Sequence, residues 1–148
     1  MFKPTKILVP TDFSEYSDKA LQKALDIAKE NGSEILLFHV IHEDFQTCVI
    51  DYCFTVDEIE AIKGRLVKAA TENMQKQLDK FPISKDVKVS VEVRNGIPYE
   101  EIVKLQEEKG LDLIVIASHG RSAITAYLMG NVASRVLRMA KCQVLLVK

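Results

Sequence analysis

Five short aliphatic runs recur along the 148 residues, and between them the apolar positions fall at helical spacing. The runs are Ile7-Leu-Val9, Glu34-Ile-Leu-Leu-Phe-His-Val40, Val87-Lys-Val-Ser-Val-Glu-Val93, Leu113 to Ala117 and Gln143-Val-Leu-Leu-Val147. Pro10 stops the first. Ser14 then offers a helix cap ahead of a stripe made by Ala20, Leu21, Ala24, Leu25 and Ala28, and Asn31-Gly32 closes that helix. Thr55-Val-Asp-Glu58 reads as a capping box opening a long helix with Ile59, Ile62, Leu66, Ala70, Met74 and Leu78 on one side, ended by Pro82. Asn95-Gly96 signals a turn, Pro98 suits the first turn of a helix to about Lys109, and a last helix is expected from about Gly130 to Ala140. Strands separated by crossover helices imply an α/β domain over 1–148, an open five-stranded parallel sheet with helices on both faces. Right-handed crossovers place its ligand cleft at the carboxyl ends of the strands.

Two loops converge on that cleft. Pro10-Thr11-Asp12 follows the first strand, and Ser118-His119-Gly120 follows the fourth. After Gly120 come nine residues, then Gly130, which opens the amphipathic last helix. Unpaired N–H groups at a helix start, beside backbone without side chains, form an anion site, with phosphate the expected anion. The glycines are also expected to supply positive-φ freedom and close approach to a ligand.

Composition narrows the partners. Lys plus Arg number 20 against 21 Asp plus Glu, a balance of −1 that gives no general attraction to nucleic acid or anionic lipid. No apolar run approaches the roughly 20 residues that span a bilayer, and no secretory leader pattern precedes the first strand. Cys48, Cys53 and Cys142 are odd in number and lack metal-ligand spacing, so the expected compartment is the cytoplasm, with thiols reduced.

At Ile7-Leu-Val-Pro-Thr-Asp-Phe-Ser14, Phe38-His-Val-Ile41, Ser118-His-Gly-Arg121 and the final Val-Leu-Leu-Val147, the chain resembles the universal stress protein family over essentially its whole length. The resemblance implies a Rossmann-like sheet of the adenine nucleotide hydrolase-like class. Against the family's Gly-x-x-Gly-x9-Gly-Ser/Thr, this chain reads Ala117-x-x-Gly120-x9-Gly130-Asn131, matching two of three glycines. Carried over residue by residue, Asp12 would accept hydrogen bonds from ribose hydroxyls and the Pro10-Thr11 backbone would flank the nucleoside. Val40 would present backbone to the adenine edge, and Ala117 would add a methyl where the backbone passes close to a ribose or phosphate. Gly120 and the N–H groups of Gly130, Asn131, Val132 and Ala133 would hold phosphates. The implied ligand is ATP, ADP or AMP, with any Mg²⁺ riding mainly on phosphate oxygens rather than on protein ligands. The implied assembly is a homodimer paired through strand 143–147, apolar on both faces with no later element to cover its edge.

Plainer readings stand beside these. Asp12 also suits a helix cap, and both glycines suit simple turns. His119 invites a catalytic role, but no paired carboxylate, nucleophile or metal set accompanies it, and a backbone hydrogen bond is the expected use. His39 reads as a satisfied core residue, His42 as a surface one, and Arg121 as either a phosphate partner or a solvated side chain. Phe45 to Phe54 carries too many aromatics for a free linker and is expected to pack near the cleft or a dimer surface. There is no P-loop lysine, so binding rather than hydrolysis is the expected activity. A nucleotide-free interaction module is the alternative, favoured by Ala117 and Asn131. A receiver domain or flavodoxin fits poorly, because Val93-Arg94-Asn95 offers no acceptor Asp and Thr11-Asp12-Phe13-Ser14 no glycine.

Overall fold

The computed structural model describes residues 1–42, 55–120 and 129–148. The expectations for Phe45 to Phe54, Cys48, Cys53 and Arg121 lie outside the described residues. Five strands form one sheet: β1 (Lys6–Pro10), β2 (Glu34–His42), β3 (Val89–Gly96), β4 (Leu113–Ala117) and β5 (Gln143–Val147). Their order is β3-β2-β1-β4-β5 and every pairing is parallel. The helices are α1 (Glu15–Asn31), α2 (Val56–Asp79), α3 (Pro98–Lys109) and α4 (Asn131–Met139), with a 3₁₀ turn at Pro82–Asp86.

Parity along the strands divides the interior in two. Ile7, Val9, Ile35, Leu37, Leu113 and Val115 meet Ala20, Leu21, Ala24 and Leu25 of α1 and Met74 and Leu78 of α2. Leu8, Leu36, Phe38, Ile114 and Ile116 face the other way, onto Ile102 and Leu105 of α3 and Ala133 and Val136 of α4. Buried strands of a doubly covered sheet are apolar on both faces, which is why β1 and β4 read as unbroken aliphatic runs.

The helix ends follow local chemistry. Ser14 caps α1 by accepting from Ser17 N–H at 3.2 Å, and Gly32 ends it at φ 71°. Thr55 and Glu58 form the reciprocal capping box of α2. Only the C-terminal half of α2 is buried, through Ala70, Met74, Gln77 and Leu78, while Ile59, Ile62 and Leu66 are only partly covered. A helix of 24 residues is about 36 Å long and outreaches strands of five to nine residues.

Two boundaries differ from the sequence expectation. The third strand starts at Val89, because Pro82–Asp86 forms the 3₁₀ turn that Val87 closes. It then runs through Asn95-Gly96 instead of turning there. β2 continues to His42 and gives Asn95 and Gly96 ladder partners in Ile41 and His42, which outweighs the turn propensity. Gly96 is needed there: its φ is +151°, and a Cβ would come 2.8 Å from Glu101 Cγ.

Candidate functional site

β1 lies between β2 and β4, so the crossover from β1 turns one way and that from β4 the other, opening a crevice beyond their carboxyl ends. A cavity of about 270 Å³ sits there, close to the lower end of the range for small-molecule sites. All ten residues assigned by resemblance line it: Pro10, Thr11 and Asp12, then Val40, then Ala117 and Gly120, then Gly130, Asn131, Val132 and Ala133. The sequence reading missed the rest of the wall. Phe38, Pro98, Ile102 and Ile116 supply an apolar floor, and Ser17, His39 and His119 add polar groups. The apolar four carry the same signal as core residues, so periodicity alone does not separate them.

The Asp12 loop is built on backbone pairing and a strained turn. Thr11 N–H donates to Phe38 C=O at 2.8 Å, and His39 Nδ1 stands 2.7 Å from Thr11 C=O, so Nδ1 carries the proton and donates. His39 is therefore half-buried at the cavity wall, its ring 4.5 Å from that of Phe13. Phe13 adopts φ 65°, the left-handed region that disfavours a bulky side chain and costs roughly 1–3 kcal/mol. Phe13 N–H donates to Thr11 Oγ1 at 3.1 Å, and Ser14 N–H donates to Asp12 Oδ1 at 3.0 Å. Asp12 is thus not the helix cap. Ser14 takes that role, and Asp12 braces the turn that precedes it.

The second loop approaches from β4. Ser118 is buried, its N–H donating to Val147 C=O at 2.8 Å, and its carbonyl accepts Gly130 N–H at 2.6 Å. Residues 118 and 130 are therefore joined directly through their backbones. Both glycines serve close approach rather than positive φ, contrary to expectation, since neither is in the left-handed region. A Cβ on Gly120 would lie 2.7 Å from Asp12 Oδ2, and one on Gly130 would lie 3.2 Å from Ser118 O. Gly130 opens α4 at φ −57° with no side-chain cap, so the first-turn N–H groups of Asn131, Val132 and Ala133 line the cavity at the positive end of the helix.

His119 does not make the expected backbone bond. Its Nδ1 is 2.8 Å from Ser118 Oγ, its ring is 5.6 Å from that of Tyr16, and its Nε2 is buried with no hydrogen-bond partner among the described residues. Among the described residues no group of three or more His, Cys, Asp or Glu could hold a metal ion, and no helix is long and apolar enough to cross a membrane. A carboxylate facing bare backbone, an apolar floor and an open helix start can hold a ligand with a hydroxylated part, a flat apolar part and an anionic tail.

Comparison with known proteins gives the site a context. Universal stress protein MJ0577 of Methanocaldococcus jannaschii is 32% identical over 154 residues, covering 97% of this chain and 94% of that one. The solved structure of MJ0577 superposes with a TM-score of 0.83 over 99% of this chain and 97% of that one. A universal stress protein solved in complex with cAMP shares the fold at 23% identity, TM-score 0.65, over 99% and 98% of the two chains. One from Archaeoglobus fulgidus in complex with dAMP does so at 18% identity, TM-score 0.60, over 99% and 100%. The universal stress protein family as a whole matches residues 3–148. With that match over nearly its full length and a relative at 32% identity, the chain belongs to the universal stress protein family.

Proposed function

We infer that this protein binds an adenine nucleotide in the cavity between the Asp12 loop and the Gly120–Gly130 loop, and that it acts as a regulatory, dimeric stress-response protein of the cytoplasm. One observation carries the reading: ten residues from four separate stretches of chain line one cavity, with Asp12 Oδ2 aimed at Gly120 and the open start of α4 beside them. Asp12 takes the ribose hydroxyls as an acceptor, and the apolar floor of Phe38, Ile102 and Ile116 takes the base. Gly120 and the N–H groups of residues 131 to 133 take the phosphates, while the Gly130 N–H, expected to join them, is held by Ser118 C=O. The absence of a side chain at both glycines supports this fit, because a Cβ would press on Asp12 Oδ2 at Gly120 and on Ser118 O at Gly130, the contacts that hold the two loops together at the cavity. ATP is the ligand proposed, with Mg²⁺ held mainly by its phosphates. Relatives of the same fold solved with cAMP and dAMP support the nucleotide class.

The dimer is proposed through β5. It is an edge strand, four of its five residues are only partly covered, and an exposed apolar edge invites pairing with a second copy. A nucleotide-free interaction module of the same fold is the second reading, favoured by the methyl of Ala117 in the cavity wall and by Asn131 in place of a hydroxyl residue. One experiment separates the two. Heat-denaturing the purified protein and chromatographing the supernatant should release ATP, ADP or AMP. Calorimetric titration of stripped protein should then give saturable ATP binding that Asp12→Ala weakens. No released nucleotide together with no binding heat would leave the interaction module as the function.

A further inference from the structure

Gln77 lies on the buried stretch of α2 among Ala70, Met74 and Leu78, yet it is an amide and only 3% exposed. A buried amide is tolerated where its hydrogen bonds are made, and those of Gln77 run to the loop that carries Asp12. Thr11 Oγ1 stands 2.8 Å from Gln77 Oε1 and 3.1 Å from Ser17 Oγ, and its single proton goes to the nearer acceptor, Gln77. Gln77 Nε2 donates to Asp18 Oδ1 at 2.8 Å and to Ser17 Oγ at 3.2 Å, while Lys80 Nζ holds Asp18 Oδ2 at 2.8 Å. Ser17 spends its own proton on Ser14 C=O at 2.8 Å. These partners fix which end of the amide faces Thr11: only the oxygen can. With its proton drawn to Gln77, Thr11 Oγ1 presents a lone pair to Phe13 N–H at 3.1 Å, the bond that closes the left-handed turn at φ 65°.

We propose that Gln77 is a positioning residue of the ligand site. It fixes the hydroxyl of Thr11, which holds the Phe13 turn, which sets the Asp12 carboxylate against Gly120 at the cavity wall. What Asp12 recognises rests on the adenine-nucleotide reading; that Gln77 holds the turn does not.

The test compares Gln77→Met, similar in length but without polar atoms, with Gln77→Glu/Asp18→Asn, which keeps an oxygen facing Thr11 and exchanges donor and acceptor in the bond to residue 18. In Gln77→Met the Kd for ATP should rise about tenfold while that for 2′,3′-dideoxyATP changes less than twofold. Asp12→Ala/Gln77→Met should bind ATP no more weakly than Asp12→Ala alone. Amide exchange at Phe13 should quicken at least tenfold in unliganded Gln77→Met, with Val9 and Ile114 unchanged. Gln77→Glu/Asp18→Asn should keep both properties within about threefold of wild type. Should Gln77→Met fail to fold, Thr11→Val removes the same link and should give the same pattern. Equal losses for both nucleotides, additive losses in the double variant, or unaltered exchange at Phe13 would overturn the proposal. If wild type binds no adenine nucleotide, the nucleotide reading falls, and Phe13 exchange alone decides whether Gln77 holds the turn.

Discussion

Gly120→Ala is the sharpest probe of the site, because its effect reduces to one contact. Gly120 is not in the left-handed region, so alanine meets no backbone penalty there. Its Cβ would stand 2.7 Å from Asp12 Oδ2, well inside van der Waals contact, and 3.9 Å from the carboxyl carbon. The carboxylate must turn, and Ser14 N–H, now donating to Oδ1 at 3.0 Å, loses its acceptor. A hydrogen bond to a charged group contributes about 1.5–3 kcal/mol when buried, and about 1 kcal/mol is reasonable for this half-buried one. For a chain of this size that lowers Tm by roughly 2–4 °C. Displacing the carboxylate from a ribose loses a bond of the same class, about 2 kcal/mol, or roughly a 30-fold rise in Kd. At an ATP concentration about 100-fold above the wild-type Kd, ligand stabilisation then falls from about 2.7 to about 0.9 kcal/mol. In a thermal-shift assay the ATP-dependent rise should shrink from roughly 5–11 °C to roughly 2–3 °C. Gly32→Ala is the control. At φ 71°, with no atom near its Cβ, it strains a helix end far from the cavity, so it should lower the unliganded Tm similarly but leave the ATP increment intact. A full ATP increment in Gly120→Ala would refute the reasoning.

Gly130→Val should abolish the ATP-dependent rise, since its Cβ alone crowds Ser118 O at 3.2 Å and His119 Cα at 3.6 Å and pushes the Gly120 backbone away from the start of α4, whereas His119→Ala should largely preserve it. Asp112 ties the start of β1 to β4 by accepting from Thr5 Oγ1 at 2.7 Å and from the Thr5 and Lys6 N–H groups. Burial pushes its carboxyl up, but those hydrogen bonds outweigh burial and hold it below its ordinary value. The unfolded chain therefore takes up that proton more readily, so Asp112 adds stability above the unfolded pKa of about 3.9 and loses it as pH falls through the lower folded value. Asp112→Asn should cost about 1 kcal/mol in urea denaturation at pH 7, after solvent screening, and the gap to wild type should narrow below about pH 4. Sedimentation at micromolar concentration should give twice the chain mass, and a single-chain mass would count against pairing through β5.

The sheet was readable because its signals are local and redundant. Ile7-Leu-Val9 and Ile114-Val-Ile-Ala117 have the continuous apolar character that only doubly covered strands need, and Ser14, Gly32, Thr55 and Pro98 mark helix ends by their own chemistry. Where a distant partner decides, local signals fail. Asn95-Gly96 remains in β3 only because His42 and Ile41 pair with it. The front half of the α2 stripe is apolar but outruns the sheet that would bury it. At the site, Asp12 and the glycines were visible through motif spacing. The left-handed Phe13 carries no sequence mark, since nothing about phenylalanine predicts it, and Gln77 is 66 residues from the hydroxyl it holds.

The division of the interior into two apolar layers has a consequence for how the molecule comes apart. Asp12 precedes α1, which belongs to the first layer, and Gly130 precedes α4, which belongs to the second. Each helix meets the sheet from its own side, and the described residues ahead of them come together at the cavity. A molecule seated there is a rivet through both layers. Without it, α4, nine residues long, can lift from its face while α1 stays in place, as separate cooperative units do. With it, the two must part together, so amide protection should rise most in the shorter helix and become equal across the sheet.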